Sequence, residues 1–296
     1  MTWKPEPGGK GSATVTMPVV QGVSHQTVRV GELDVHVAEA GSGEPLVLLH
    51  GWPQHWYCWH RVVPLLAGRY RLVMPDLRGH GWTSVPSGGY DKEQLATDLL
   101  GLLDALELPR VGLIGHDWGG WTGFLACLRA PERFRGFLAL GILPPFQKAS
   151  VGKVLQSWRM GYQLPLSTPL LGRSLMRAGL AGTVVSGGSR REVGDVSTYA
   201  DVMRDPERAR ATERLYRTFL LAESRQVFTG RYADARLTVP TRLVNGEHDP
   251  ISSAALLDGW QSRADDMTVE ILDDVGHFVP EEAPEVVADR AVALFG

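Results

Sequence analysis

The chain alternates short apolar runs with longer segments in which apolar residues return at the helical period. Residues 91–106 show the helical pattern, because leucines recur every three or four positions along one face. Strands that alternate with helices in this way predict a doubly wound α/β fold with a mostly parallel sheet. The runs that we interpret as buried strands are residues 45–50, 71–74, 111–114, 137–142, 241–244 and 268–272.

Two local signals refine the edges of this pattern. Residues 27–30 and 33–38 flank a Gly-Glu pair, which predicts a β-hairpin that leads into the sheet. Asp91 followed by Gln94 resembles a capping box, in which each side chain binds a backbone N–H at the start of a helix. We therefore expect the helix to begin close to residue 91.

The alternation breaks between about residues 145 and 239, where many arginines are mixed with acidic residues and no strand pattern is clear. We predict a helical insertion here, with the arginines on a solvated face. The segment 186–189 (SGGS) is typical of a mobile loop. The predicted division is a flexible tail over residues 1–22, an α/β core over residues 23–145 and 236–296, and a helical cap over residues 146–235.

Composition narrows the functional class. A formal net charge of −3 gives no electrostatic reason to bind nucleic acid or an anionic membrane. No apolar run reaches the roughly 18 residues of a membrane span. The two cysteines form no CxxC pair and the histidines form no metal-binding motif, so we expect neither a metal nor a disulfide. The expectation is a cytoplasmic enzyme, with the oligomeric state open between a monomer and a homodimer.

The strongest candidate for chemistry is the segment 115–120 (GHDWGG), which follows a predicted strand and precedes a helix-like segment. This is the layout of a nucleophile elbow, a sharp turn that exposes one side chain at the end of a strand. The usual serine is replaced by Asp117. A carboxylate nucleophile attacks an alkyl carbon and forms an ester that water must then cleave.

Cleavage of such an ester needs a base, an acid that orients the base, and donors for the oxyanion. His277 follows the last predicted strand and is the candidate base. Asp249 follows the preceding strand and is the candidate acid, with Glu247 as a close competitor. The order nucleophile, acid, histidine is that of the hydrolase elbow. We expect the backbone amides of Trp52 and Trp118 to form the oxyanion hole.

Together these segments resemble the epoxide hydrolases of the α/β-hydrolase superfamily. Residues 50–53 (HGWP), 75–81 (PDLRGHG) and 115–120 (GHDWGG) carry the likeness, together with Asp249 and His277. The resemblance implies an α/β core with a helical cap over the site. It also implies an apolar or aromatic epoxide as the small-molecule substrate, with no cofactor.

In that family two cap tyrosines usually hold the epoxide oxygen and protonate the leaving alkoxide. The second resembles Tyr216. The place of the first is open between Trp158, which the alignment favours, and Tyr162, one helical turn later. An indole N–H donates a hydrogen bond but has no proton to give, so Trp158 would only position the oxygen.

Further residues are expected to contact the substrate. Trp121 is a candidate wall of the pocket, and His50 and Pro53 lie in the loop after the first central strand. A cis bond before Pro53 would fix the turn of that loop.

Other functions are consistent with parts of the same pattern. A haloalkane dehalogenase uses the same nucleophile, and there Trp118 and Trp158 would bind halide. Against this reading, Trp52 stands where many dehalogenases place an asparagine. Fluoroacetate dehalogenases carry arginines where this chain has Trp118 and Trp121. A non-catalytic ligand sensor on this fold is a third possibility, although a binder has no need of the complete Asp117, Asp249 and His277 set.

Overall fold

A computed structural model describes residues 15–146, 161–252, 257 and 259–296 of the protein. The strands are β1 (Val23–Val30), β2 (Leu33–Ala40), β3 (Glu44–Leu49), β4 (Tyr70–Pro75), β5 (Val111–His116), β6 (Phe134–Leu140), β7 (Thr241–Gly246) and β8 (Met267–Leu272). They form one sheet in the order β1-β2-β4-β3-β5-β6-β7-β8. β1 and β2 form an antiparallel hairpin, β2 is antiparallel to β4, and every pair from β4 to β8 is parallel. The predicted fold class and hairpin are confirmed.

Helices cover both faces of the sheet, which explains why the central strands are apolar on both sides. Leu113 and Phe137 pack on one face, whereas Ile114 and Leu138 pack on the other. The helices are α1 (Val63–Leu66), α2 (Lys92–Ala105), α3 (Trp118–Arg129), α4 (Gln163–Ser167), α5 (Leu171–Arg177), α6 (Leu180–Gly188), α7 (Ser197–Met203), α8 (Pro206–Thr218), α9 (Ser224–Phe228), α10 (Val279–Glu282) and α11 (Pro284–Phe295), with a π-helical turn over Phe219–Glu223.

The predicted capping box at α2 is only half present. The Asp91 side chain accepts a hydrogen bond from the Gln94 amide at 2.9 Å, as a helix cap should. The Gln94 side chain does not return to Asp91 but donates to Asp98 at 2.9 Å. Asp98 also holds the buried Arg78 guanidinium through two hydrogen bonds, so this carboxylate competes successfully for the Gln94 amide group.

The described helices between β6 and β7, α4–α9, are called the inserted helices below. The prediction of a mobile loop at residues 186–189 is wrong, because α6 continues through Gly188. The Gly188 carbonyl accepts a hydrogen bond from the His277 amide at 2.8 Å, and the Ser189 hydroxyl donates to the Val185 carbonyl at 2.8 Å. These contacts override the low helix propensity of the two glycines.

The prediction that the arginines form a solvated face is only partly right. Several of them bind backbone carbonyls of the core. Arg191 donates to the carbonyls of Asp273 and Asp274, Arg208 to that of Gly81, and Arg214 to that of Pro86. These arginines therefore also attach the region of the inserted helices to the loops that follow β4 and β8. Within the described ranges, no helix is long and apolar enough to span a membrane.

Candidate active site

Asp117 lies at the turn between β5 and α3, with a backbone φ of 49° and ψ of −120°. A positive φ is strained for a residue with a side chain, and such strain is typical of a nucleophile elbow. Two glycines make the turn possible. A Cβ added to Gly115 would lie 2.6 Å from the Gly119 carbonyl oxygen, and one added to Gly119 would lie 2.4 Å from the Leu49 carbonyl oxygen. Only glycine allows these backbones to approach so closely.

The Asp117 carboxylate is almost completely buried, and backbone amides hold it. The Trp52 amide donates to its Oδ2 atom at 2.9 Å, and the Trp118 amide stabilises the charged form of the carboxylate. Burial raises the pKa of Asp117, while His277 and the two amides act in the opposite direction. The two amides predicted for the oxyanion hole thus already converge on the group that would become the ester.

His277 and Asp249 form a hydrogen-bonded pair beside this carboxylate. His277 Nδ1 lies 2.9 Å from Asp249 Oδ2, and His277 Nε2 lies 3.8 Å from Asp117 Oδ1. Asp249 also accepts hydrogen bonds from the Ile251 amide at 2.7 Å and from the Ser252 hydroxyl. A carboxylate bound by fixed donors orients the imidazole, so that Nδ1 carries the proton and Nε2 points towards Asp117.

The charges of this pair shift both pKa values. Burial disfavours a charged imidazole, but the carboxylates of Asp249 and Asp117 outweigh this effect and raise the pKa of His277 to about 9. Burial acts to raise the pKa of Asp249, yet His277 and the hydrogen bonds from Ser252 and Ile251 lower it below its usual value. The competitor Glu247 lies away from the imidazole, because its exposed carboxylate contacts His248 and the Asp274 amide.

A cavity of about 220 Å³ opens beside Asp117 and His277. Tyr162 and Tyr216, which the sequence analysis names as candidates for contact with the substrate, line it together with Trp52. Its wall also includes Gly187 and Gly188 from α6, which the sequence analysis did not assign to the site. The remaining lining residues are Val184, Pro250, Ile251 and Phe278. An apolar pocket with a few convergent polar groups is the usual form of a small-molecule site.

Tyr162 and Tyr216 lie together on the inserted side of the cavity. Their ring centroids are 6.0 Å apart, and both rings pack on Trp52, at 6.4 Å and 5.1 Å between centroids. Burial and the nearby Asp117 carboxylate raise the pKa of each tyrosine, with Tyr162 adding to the effect on Tyr216. Both hydroxyls therefore stay protonated and can donate hydrogen bonds. The other predicted partner, Trp158, lies outside the described residues.

Three residues predicted to contact the substrate do not line this cavity in the part of the chain that is described. Both ring nitrogens of His50 are used by backbone groups: Nε2 accepts from the Leu77 amide, after β4, at 2.9 Å, and Nδ1 lies 2.9 Å from the Gly51 carbonyl. Pro53 follows a cis peptide bond and is buried beneath the loop. Trp121 packs between Trp118 and Phe219. Packing and backbone hydrogen bonds account for the positions of these three residues, and their contact with a substrate stays a prediction.

No described group of three or more histidine, cysteine or acidic side chains could hold a metal ion. One polar residue that the sequence analysis missed supports the acid. The Asn245 side chain, at the end of β7, donates to the carbonyls of Ile142 and Ser252 at 3.2 and 3.1 Å. It therefore fixes the turn that presents Asp249, a role with no local sequence signal.

Comparisons with known proteins found similar sequences over most of the chain. The profile of a family described as alpha/beta hydrolase fold matches residues 44–284. The soluble epoxide hydrolase of Corynebacterium sp. (strain C12) is 31% identical over 284 residues, which cover 92% of this chain and 97% of the relative. The fluoroacetate dehalogenase of Burkholderia sp. is 38% identical over 131 residues, which cover 43% of each protein.

Solved structures are similar over the same range. The epoxide hydrolase CorEH without ligand superposes with a TM-score of 0.80 at 29% sequence identity. That match covers 92% of this chain and 98% of the solved one, so the likeness extends over the core and the inserted helices.

Proposed function

The chain belongs to the α/β-hydrolase family, and from that premise we propose that it hydrolyses an epoxide to a vicinal diol through an ester of Asp117. The observation that carries the proposal is the position of the Asp117 carboxylate. It occupies the elbow where a serine hydrolase has its hydroxyl, accepts the Trp52 amide at 2.9 Å, and lies 3.8 Å from His277 Nε2. Relatives described as epoxide hydrolases support this choice.

In the first step, a carboxylate oxygen of Asp117 attacks one ring carbon of the epoxide. A carbon–oxygen bond to the enzyme forms, and the ring carbon–oxygen bond breaks. The departing oxygen carries negative charge, and we assign its stabilisation to the hydroxyls of Tyr162 and Tyr216, which line the cavity. An alkoxide is more basic than a phenolate, so it takes the proton of Tyr216 despite the raised pKa of that tyrosine.

The formation of the ester changes the environment of the base. Asp117 loses its negative charge, and with it one of the causes that raise the pKa of His277. The imidazolium then releases its proton more easily, and this proton restores the hydroxyl of Tyr216. Neutral His277 then activates water at Nε2. Alkylation of Asp117 therefore prepares His277 for the second step. The charge of Asp249 remains and holds the imidazole in place.

In the second step, the activated water attacks the ester carbonyl of Asp117. The tetrahedral oxyanion is stabilised by the amides of Trp52 and Trp118, which already point at this group in the resting enzyme. The ester bond then breaks, and its departing oxygen takes back from His277 the proton that was removed from water, so that the diol leaves. Asp117 is restored with one oxygen from water, and the second proton of that water returns to His277. These steps use only side chains, backbone amides and water.

The cavity favours an apolar substrate. Its walls are aromatic or aliphatic except at Asp117, His277 and the tyrosine hydroxyls, so an aryl or alkyl epoxide fits its chemistry better than a charged one. We further propose that residues 146–235 form a cap on a core of residues 23–145 and 236–296. A cytoplasmic location also remains a proposal.

The test is turnover of an aryl epoxide, an aliphatic epoxide and a bromoalkane, read as diol formed and halide released. Asp117→Ala is the control, because it removes the nucleophile and retains the cavity. We expect diol without halide, and none from the variant. Diol formation that persists in Asp117→Ala would reject the ester mechanism.

Dehalogenation is the second candidate. It is favoured by the similarity to the Burkholderia fluoroacetate dehalogenase and by the buried indole of Trp118 next to the nucleophile. The same panel distinguishes the two functions. Halide release that exceeds diol formation would identify Trp118 as a halide donor and leave Tyr216 without a role in protonation.

A further inference from the structure

A buried carboxylate joins the inserted helices to the loop that carries His277. Glu282 ends α10 and is only 5% exposed. Its Oε2 atom accepts hydrogen bonds from the amides of Arg190 and Arg191 at 2.7 and 3.1 Å. Both amides lie just after α6, separated from its last residue, Gly188, by Ser189. Glu282 therefore binds the end of the helix that forms one wall of the cavity.

The same carboxylate binds the backbone on both sides of the base. Oε2 also accepts the Gly276 amide at 2.9 Å, and Oε1 accepts the Phe278 amide at 3.0 Å. The amide between them, that of His277, donates to the Gly188 carbonyl at 2.8 Å. Three consecutive amides are thus fixed, two by Glu282 and one by the end of α6.

The backbone at Gly276 lies so close to that of Gly188, at the end of α6, that neither segment can shift without the other. A Cβ added to Gly276 would lie 2.3 Å from the Gly188 carbonyl oxygen and 3.0 Å from Glu282 Oε1. Charge-assisted hydrogen bonds from backbone amides to a carboxylate are among the stronger hydrogen bonds in proteins. A shift of the α6 end would therefore be transmitted to His277, and the reverse.

We propose that Glu282 is a positioning residue that couples the cavity wall formed by α6 to the base His277, and that it serves ester hydrolysis rather than ester formation. The inference rests on the proposed two-step function. Ester formation depends on Asp117, which is held by the amides of Trp52 and Trp118. Among the described residues, the hydrogen bonds of Glu282 come from the amides of Arg190, Arg191, Gly276 and Phe278, and not from those groups. Hydrolysis depends on the direction in which His277 Nε2 points. The backbone that Glu282 and Gly188 hold by hydrogen bonds determines that direction.

The charge of Glu282 also acts on His277, through its pKa. The negative charge of Glu282 contributes to the raised pKa of His277, after the larger effects of burial, Asp249 and Asp117. Loss of that charge should lower the pKa of His277. Since the base acts in its neutral form, the acidic limb of the hydrolysis rate should move to lower pH.

The experiment compares Glu282→Gln and Glu282→Asp with wild type in single turnovers of an aryl epoxide. Quenched samples give the ester on the Asp117 peptide by mass spectrometry and the diol by chromatography. Glu281→Gln is the matched control. Glu281 is also buried and precedes Glu282 in α10, but its carboxylate binds Gln54, Tyr199 and the Gly194 amide rather than the amides flanking His277.

For Glu282→Gln we expect ester formation within about twofold of wild type and hydrolysis slower by about tenfold to a hundredfold, since small misplacement of a catalytic group has effects of this size. Its acidic limb should move to lower pH. Glu282→Asp keeps the charge but has a shorter side chain, so its carboxylate lies farther from the amides. It should therefore slow hydrolysis without shifting the acidic limb of the pH profile. Glu281→Gln should leave the ratio of the two rates unchanged.

Two results would overturn the proposal. One is an equal loss in both steps for Glu282→Gln, which would indicate a general structural role. The other is that Glu281→Gln changes the ratio of the rates of ester formation and ester hydrolysis as much as Glu282→Gln does. If Glu282→Gln does not fold, the ratio and the pH limb of Glu282→Asp decide between these outcomes. If wild type forms no ester at all, the proposed function itself fails, and that result is distinct from both.

Discussion

Asp117 and His277 lie 3.8 Å apart at their closest charged atoms, but different parts of the molecule hold them. Two backbone contacts of Asp117 come from the sheet and from the loop after β3. The Trp52 amide binds its carboxylate, and its own amide donates to the Leu140 carbonyl at 3.1 Å. His277 depends on the end of α6, through Gly188 and through Glu282. Asp117, the proposed nucleophile, is therefore held at the end of β5, whereas His277, the proposed base, is also held by the end of α6.

This difference teaches that the two chemical steps can be perturbed separately. A change at the end of α6 reaches His277 through backbone hydrogen bonds. In contrast, α8 contacts Trp52, an amide donor of Asp117, through the side chains of Thr212 and Tyr216. We therefore expect changes in the core elbow to affect ester formation first. Changes at α6 should affect hydrolysis and the fit of the substrate.

The largest separation is expected for His277→Gln. Removal of a general base typically slows a step by about 10²- to 10⁴-fold. Because Asp117 keeps its amides, the variant should still form the ester and then retain it. Intact-protein mass spectrometry after addition of an aryl epoxide should show a stable increase by the mass of the substrate. Rapid diol release without an adduct would show that another group activates water.

Tyr216→Phe should act on the other step. The hydroxyl donates to the departing oxygen, and loss of one such donor costs about 10²-fold or more in rate. The effect should appear in ester formation, with hydrolysis of preformed ester unchanged. Tyr162→Phe is the matched comparison, because it lines the same cavity 6.0 Å from Tyr216 between ring centroids. If both variants leave ester formation unaffected, the tyrosines do not stabilise the leaving oxygen.

The smallest effect is expected at the α6 wall. A Cβ added to Gly187 meets no atom within 4 Å, so Gly187→Val should extend into the cavity without a clash. We expect kcat/KM for an aryl epoxide to fall about tenfold relative to a small aliphatic epoxide, as for a few methyl groups in a pocket. Gly188→Ala is the contrast, since its Cβ would lie 2.8 Å from Phe278. It should lower Tm and slow hydrolysis for both substrates alike.

Most of the fold could be predicted from the sequence, because each central strand is a short apolar run that ends at a turn. The proximity of Asp117, Asp249 and His277 follows from the same rule, since the carboxyl ends of parallel strands meet at one edge of the sheet. The glycines of the elbow mark its turn, and their close backbone contacts explain why no other residue serves there.

The remainder depends on contacts between distant segments. Gly187 and Gly188 suggest a loop by local propensity, yet hydrogen bonds to His277 and packing on Phe278 keep them helical. The side chain of Glu282 looks like an ordinary charge at the start of a helix until the amides of residues 190 and 191 are placed beside it. His50 looks like a ligand contact, because its sequence does not reveal that Leu77 occupies one of its nitrogens.

The central claim is that an ester of Asp117 links the two steps, and one labelling experiment tests it most directly. Excess enzyme is mixed with an aryl epoxide in heavy-oxygen water for a single turnover, and the Asp117 peptide and the diol are weighed. We predict one heavy oxygen in the Asp117 carboxylate and none in the diol, because water attacks the ester carbonyl. Label in the diol and none in Asp117 would mean that water attacks the epoxide directly, and would contradict the ester mechanism.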